Sequence, residues 1–176
     1  MRRRSAAFLT LLGLSLVACA AQDWKEHNSK EGRFKAKFPG DPVTQQQQIP
    51  TAAGNLTMYM HAVERDSGNQ AFMLMYNDYP AETIRNSKAE DLLKACKDGV
   101  LQSASGKTSK EREIKIDGHP GMEFSFDGNS GGRDMKCSWR IYLVKNRLYQ
   151  LAVLRFGQET PAADVKQFFD SFALSR

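Results

Sequence analysis

The stretch Arg140–Val153, RIYLVKNRLYQLAV, decides the fold. Ile141 and Leu143 continue an alternation begun by Met135, Cys137 and Trp139, with Lys136, Ser138 and Arg140 in between. A period of two marks a strand with one buried face. Lys145-Asn146 is a tight turn, and the chain returns at once through RLYQLAVLRF. Strands joined by two residues are antiparallel neighbours, because a parallel pair needs a crossover of about a dozen residues or more.

Outward from this hairpin the same period recurs. Met122, Phe124 and Phe126 share one side of a strand entered through Asp117-Gly118, a strong hairpin cue, and left through DGNSGG. Ile114 and Ile116 end the strand before it. Further upstream, Leu56 to Glu64 alternates, RDSGN turns the chain, and AFMLMY (71–76) is dense enough for burial on both faces. Phe34, Ala36 and Phe38 alternate with Arg33, Lys35 and Lys37. Pro39-Gly40-Asp41-Pro42 ends that strand, and VTQQQQIP follows as a polar edge.

Two segments carry the helical period instead. In residues 86–106, Leu92, Leu93, Cys96 and Val100 form an apolar stripe behind a Ser87–Glu90 capping box. Gly99 inside it costs about 1 kcal/mol relative to alanine. Thr160-Pro161 opens the last helix, whose stripe is Val165, Phe168, Phe169 and Phe172. Both stripes need an apolar partner, and only a sheet offers one large enough. The expected class is α+β: a single antiparallel sheet of about six to seven strands with two main helices packed against it.

The N-terminus sets the expected location. MRRR precedes the uncharged apolar run AAFLTLLGLSLVA, as in a secretory leader. The run is shorter than the roughly 20 residues a spanning helix needs. LVAC (16–19) resembles a bacterial lipobox, in which the leader is cut before a cysteine that takes lipid. A plain cut after Ala18-Cys19-Ala20 is the alternative. The first reading gives a signal peptide over 1–18, lipidated Cys19 and a polar tether to residue 31, and a domain over 32–176. Ala20 after the cysteine resembles the outer-membrane pattern, so the expectation is an exported, periplasmic protein held on that membrane. Loss of Arg2, Arg3 and Arg4 with the leader removes three positive charges from the formal +5. No cationic block remains, which argues against nucleic acid as partner.

Cys96 and Cys137 are left, either as a helix-to-sheet disulfide or as two buried thiols. No P-loop, GxSxG elbow, dinucleotide fingerprint or zinc spacing is present, so no cofactor and no catalysis are expected. His27, His61 and His119 fall in a tether, a strand and a turn. A Cys–His nucleophile using His119 is disfavoured by the predicted burial of both thiols. Met58, Met60, Met73 and Met75, with His61 beside them, are a candidate periplasmic copper site, since thioethers select Cu(I). The competing reading is that methionine is a core filler here. Trp139, Arg140, Tyr142, Arg147 and Tyr149 are candidates for a partner-binding surface, or else ordinary cross-strand pairs.

EGRFKAKFPGDP near the start, IDGHPGMEF in the middle, RIYLVKNRLYQLAV later and FFDSFAL at the end resemble the PsbP-like superfamily, in its DcrB-like periplasmic branch. The resemblance covers roughly residues 24–175. It implies an antiparallel sheet sandwiched by helices, and a role in binding or assembly of a protein partner in the envelope. It transfers no functional residues, because fold alone does not fix function.

Overall fold

The computed structural model describes residues 23–51 and 54–175. The leader, the lipobox and Cys19 lie outside the described residues. The elements run β1 (Lys25–Ser29), β2 (Phe34–Phe38), β3 (Val43–Thr51), β4 (Gly54–Arg65), β5 (Gln70–Asp78), α1 (Ala81–Asn86) and α2 (Ala89–Ser103). Then come β6 (Lys107–Ile116), β7 (His119–Ser130), β8 (Arg133–Val144), β9 (Arg147–Phe156), α3 (Ala162–Asp170) and β10 (Ala173–Leu174).

Seven strands form one antiparallel sheet in the order β3-β4-β5-β9-β8-β7-β6. The hairpin predicted at Lys145-Asn146 joins β8 to β9, with Val144 opposite Arg147. Lys145 takes a positive φ of 57° to close it. β9 then inserts between β8 and β5, so the meander β6–β9 meets the β3–β5 unit along the β5–β9 ladder.

The expected single sheet is accompanied by a second one, β1-β2-β10. Residues 25–29, expected within the tether, are its β1, with His27 opposite Ala36. Trp24 packs edge-on against Phe72, ring centres 5.6 Å apart. The polar side chains of DWKEHNS hide this strand from a periodicity search, but backbone pairing to β2 does not require apolar side chains. The small sheet and α3 cover one face of the large sheet, here the front. Phe34, Ala36, Phe38, Phe168, Phe169 and Phe172 meet Val63, Phe72, Leu74, Leu151 and Val153 there. On the back, Leu93 of α2 packs with Phe124, Phe126, Cys137, Ile141 and Leu148. Phe34, Phe38, Phe72, Phe124, Phe126 and Phe168 are sealed from solvent. Each such burial contributes roughly 2–3 kcal/mol.

The helix starts differ from expectation. α2 begins at Ala89 with Lys88 at its cap and no side-chain capping bond. Ser87 is extended (φ −128°, ψ 149°) because it ends α1, a six-residue helix too short to show a period. Pro161, not Thr160, caps α3. The Thr160 hydroxyl instead accepts a 3.1 Å bond from Nε2 of Gln70, tying the start of α3 to β5.

Candidate functional site: a charged groove beside the third helix

The front of the large sheet changes character across its width. Through β4, β5 and β9 it is apolar and roofed. Across β6, β7 and β8 the same parity turns polar: Arg112 sits opposite Glu123, Glu123 opposite Arg140, Ser125 opposite Ser138 and Asp127 opposite Lys136. α3 stops short of this half. A groove of about 990 Å³ lies between its flank and the three strands.

A chain of alternating charge crosses the groove. Arg112 Nη2 lies 2.8 Å from Glu123 Oε1, and the other oxygen of Glu123 accepts from Nε of Arg140. Arg140 Nη1 donates to Asp170 of α3 at 2.9 Å, and Asp170 also accepts from Lys166. The Arg140 guanidinium rests 4.9 Å from the centre of the Phe169 ring. Beside this chain, Lys136 pairs with Asp127 at 2.6 Å. The Ser109 hydroxyl donates to the Ser125 carbonyl and lies 3.0 Å from the Ser125 hydroxyl.

These contacts push titrations away from neutrality. Lys166, then Arg140, hold the Asp170 carboxyl below the usual carboxylate range despite some burial. Burial works against the Arg140 charge, but Glu123 and Asp170 outweigh it and raise its pKa. The bond to Asp127 raises Lys136. General acid–base work needs shifts toward the operating pH, the opposite of what these groups show. The arrangement can present fixed, mutually oriented charges to a complementary surface.

Of the proposed surface Trp139, Arg140, Tyr142, Arg147 and Tyr149, only Arg140 lines the groove. Trp139 faces the back, its Nε1 donating to Gln150 at 3.3 Å. Tyr142 and Tyr149 are indeed opposite each other across the hairpin, but both are buried against Phe172. Arg147 is buried and forks onto Asp78 with two 2.7 Å bonds. Alternation sends only Trp139 to the back; Tyr142, Arg147 and Tyr149 share the front with Arg140 but lie beneath the small sheet and Phe172.

Met58, Met60, Met73 and Met75 do meet, together with Ile49, Ala152 and Trp139. His61 does not join them. It sits on the other side of β4, bonded through Nδ1 to the Thr44 hydroxyl at 3.1 Å. Among the described residues no three His, Cys, Asp or Glu side chains form a metal-binding group. Cys96 and Cys137 share the back core but are free thiols, both pushed up to about 12 by burial. The groove residues Arg112, Glu123, Asp127, Lys166 and Asp170 escaped sequence reasoning. For Arg112, Glu123 and Asp127 the one signal was opposite charge on neighbouring strands, visible only once register is known, whereas Lys166 and Asp170 stand at i,i+4 on α3.

The comparisons with solved structures follow the architecture. Cyanobacterial PsbP (CyanoP) from Synechocystis sp. PCC 6803 is similar over 93% of this chain and 98% of that one, with a TM-score of 0.52 and 11% identity. The fold is PsbP-like. PA94, a protein of unknown function from Pseudomonas aeruginosa, gives a TM-score of 0.40 at 12% identity, over 81% and 85% of the two chains. A structure from Bacteroides thetaiotaomicron gives 0.47 at 11% identity, and this chain spans 48% of its length while 86% of this chain is covered. No family model matches the sequence. No curated protein matches it either. Among the described residues no helix is long and apolar enough to cross a membrane.

Proposed function

We propose that this protein is an exported lipoprotein, anchored on the periplasmic side of the outer membrane through Cys19, whose PsbP-like domain is a non-catalytic binding or assembly module. A protein partner docks in the groove between α3 and β6–β8. The observation that carries this reading is the ion-pair chain Arg112–Glu123–Arg140–Asp170–Lys166, which fixes both signs of charge on an open surface. Preoriented charge favours specific, steered association over chemistry. The leader and LVAC at 16–19 support export and anchoring.

Two measurements test the two halves separately. A photoreactive residue in place of Ser138 on the groove floor should yield adducts with an envelope protein, whereas one in place of Glu82 on α1 should not. Equal yields would remove the groove as the docking site. The mass of the N-terminal peptide should show Cys19 carrying acyl chains, and Cys19→Ser should release the protein from membranes. An unacylated N-terminus would remove the anchor and leave the groove untouched.

A further inference from the structure

The two edges of the large sheet are built to opposite rules. β6 carries Lys107, Lys110, Glu111, Arg112, Glu113 and Lys115, and its register shifts between Thr108 and Lys110. Charge and a bulge are how natural sheets keep an edge from recruiting another strand. β3 has neither, and its one edge-blunting residue is Pro50, next to its end. Its nine residues, VTQQQQIPT, carry no charge and pair with β4 in unbroken register from Val43 to Thr51. On its other side β3 has no strand neighbour among the described residues.

The sequence around this edge is nearly its own mirror image. Pro42-Val43-Thr44-Gln45-Gln46-Gln47-Gln48-Ile49-Pro50 reads outward from Gln46 as Gln and Gln, Thr and Gln, Val and Ile, Pro and Pro. An antiparallel pair formed by a two-fold axis at Gln46 would place each of these opposite its counterpart on the same face. Gln45 would meet Gln47, and a carboxamide both donates and accepts, so such a pair satisfies itself. Val43, 62% exposed and the one exposed large hydrophobic among the described residues, would meet Ile49. The prolines, which cannot donate to a ladder, bracket the paired segment at both ends.

We infer that β3 is a homodimerisation edge: two copies of this chain join β3 to β3 about Gln46, making one continuous sheet. The interface lies at the far edge of the sheet from the groove, so a docked partner and the second copy do not compete.

Gln46→Cys in the full chain tests this in its own membrane. Cα atoms of facing residues in an antiparallel pair are about 4.5–5.5 Å apart, within disulfide reach. Mild oxidation should give a covalent homodimer whose linked peptide is 46 to 46, while Lys110→Cys on the opposite edge should stay monomeric. Adding Gln45→Lys and Gln47→Lys places like charges opposite each other and should cut the 46–46 link at least about tenfold. Chains carrying Gln45→Cys mixed with chains carrying Gln47→Cys should form the 45–47 link in excess of 45–45, which reads the register independently. A folded Q46C protein that links no more than K110C, or links only to a different protein, overturns the proposal. Equal 45–45 and 45–47 yields overturn the register.

Discussion

His27 and His61 face each other with ring centres 4.9 Å apart, in the seam where the small sheet lies on the large one. Phe34 and Phe38 flank the pair, and neither Nε2 has a hydrogen-bond partner among the described residues. Burial lowers the pKa of His27, and burial together with the nearby His27 lowers His61 from 6.5 to about 4. The folded chain therefore refuses protons that the unfolded chain accepts. Stability from this seam is whole above pH 6.5 and is lost as pH falls toward 4, a window worth about 3 kcal/mol for His61. Thermal melts should drop between pH 6.5 and 5, and His61→Gln should flatten that slope. An unchanged slope in H61Q would assign the loss to other groups.

Arg147 anchors the loop between β1 and β2 to the end of β9. Its Nη1 donates to the Glu31 carbonyl at 2.7 Å while its fork holds Asp78, and its guanidinium lies 4.6 Å from the Tyr76 ring centre. Asp78 is 43% exposed, so water can take over its side of a broken pair. Arg147→Ala should cost about 2–3 kcal/mol in urea unfolding, with Arg147→Lys intermediate because it keeps charge and loses the fork. A loss below about 0.5 kcal/mol, the range of ordinary surface substitutions, would show the network to be dispensable.

Two glycines should respond with opposite sign to alanine. A Cβ at Gly121 would lie 2.4 Å from the Ile141 carbonyl oxygen and 2.5 Å from Cδ1 of Tyr142, where backbone cannot easily yield. Gly121→Ala should destabilise by about 3 kcal/mol, near the upper end for overpacking. Gly99 lies exposed in α2 with nothing within 4 Å. Gly99→Ala should stabilise by about 1 kcal/mol through helix propensity alone. Chemical denaturation of the two variants checks both signs.

Cys96 and Cys137 should react slowly with thiol reagents. With pKa values pushed up to about 12, only a fraction on the order of 10⁻⁴ is thiolate at pH 8. Labelling in native buffer should trail labelling in 8 M urea, taken as a denaturing condition, by orders of magnitude. Comparable rates would mean the back core opens far more often than its packing implies.

Much of the fold was legible because each strand announces its own inward row. Phe34, Ala36 and Phe38 read as one face, and they are that face. The methionine rows of β4 and β5 read as sharing a side, and they do. What misled was proximity along the chain: His61 beside Met60, and Trp139 beside Arg140, each fall on opposite sides of their strand. β1 had no row to announce, and the Ser87 cap was lost to a helix too short for periodicity.

The sequence by itself determined where side chains alternate, where the chain must turn and which helical stripes seek a sheet. These are local properties, set by the two-residue and 3.6-residue periods of the backbone. Only the tertiary structure decided that β9 lies beside β5, that α3 roofs half of the front, and that the unroofed half gathers Arg112, Glu123, Arg140 and Asp170 into one charged row. Partners this far apart in sequence are chosen by strand order and register. No local pattern encodes those, because every polar row looks alike until its neighbours are in place.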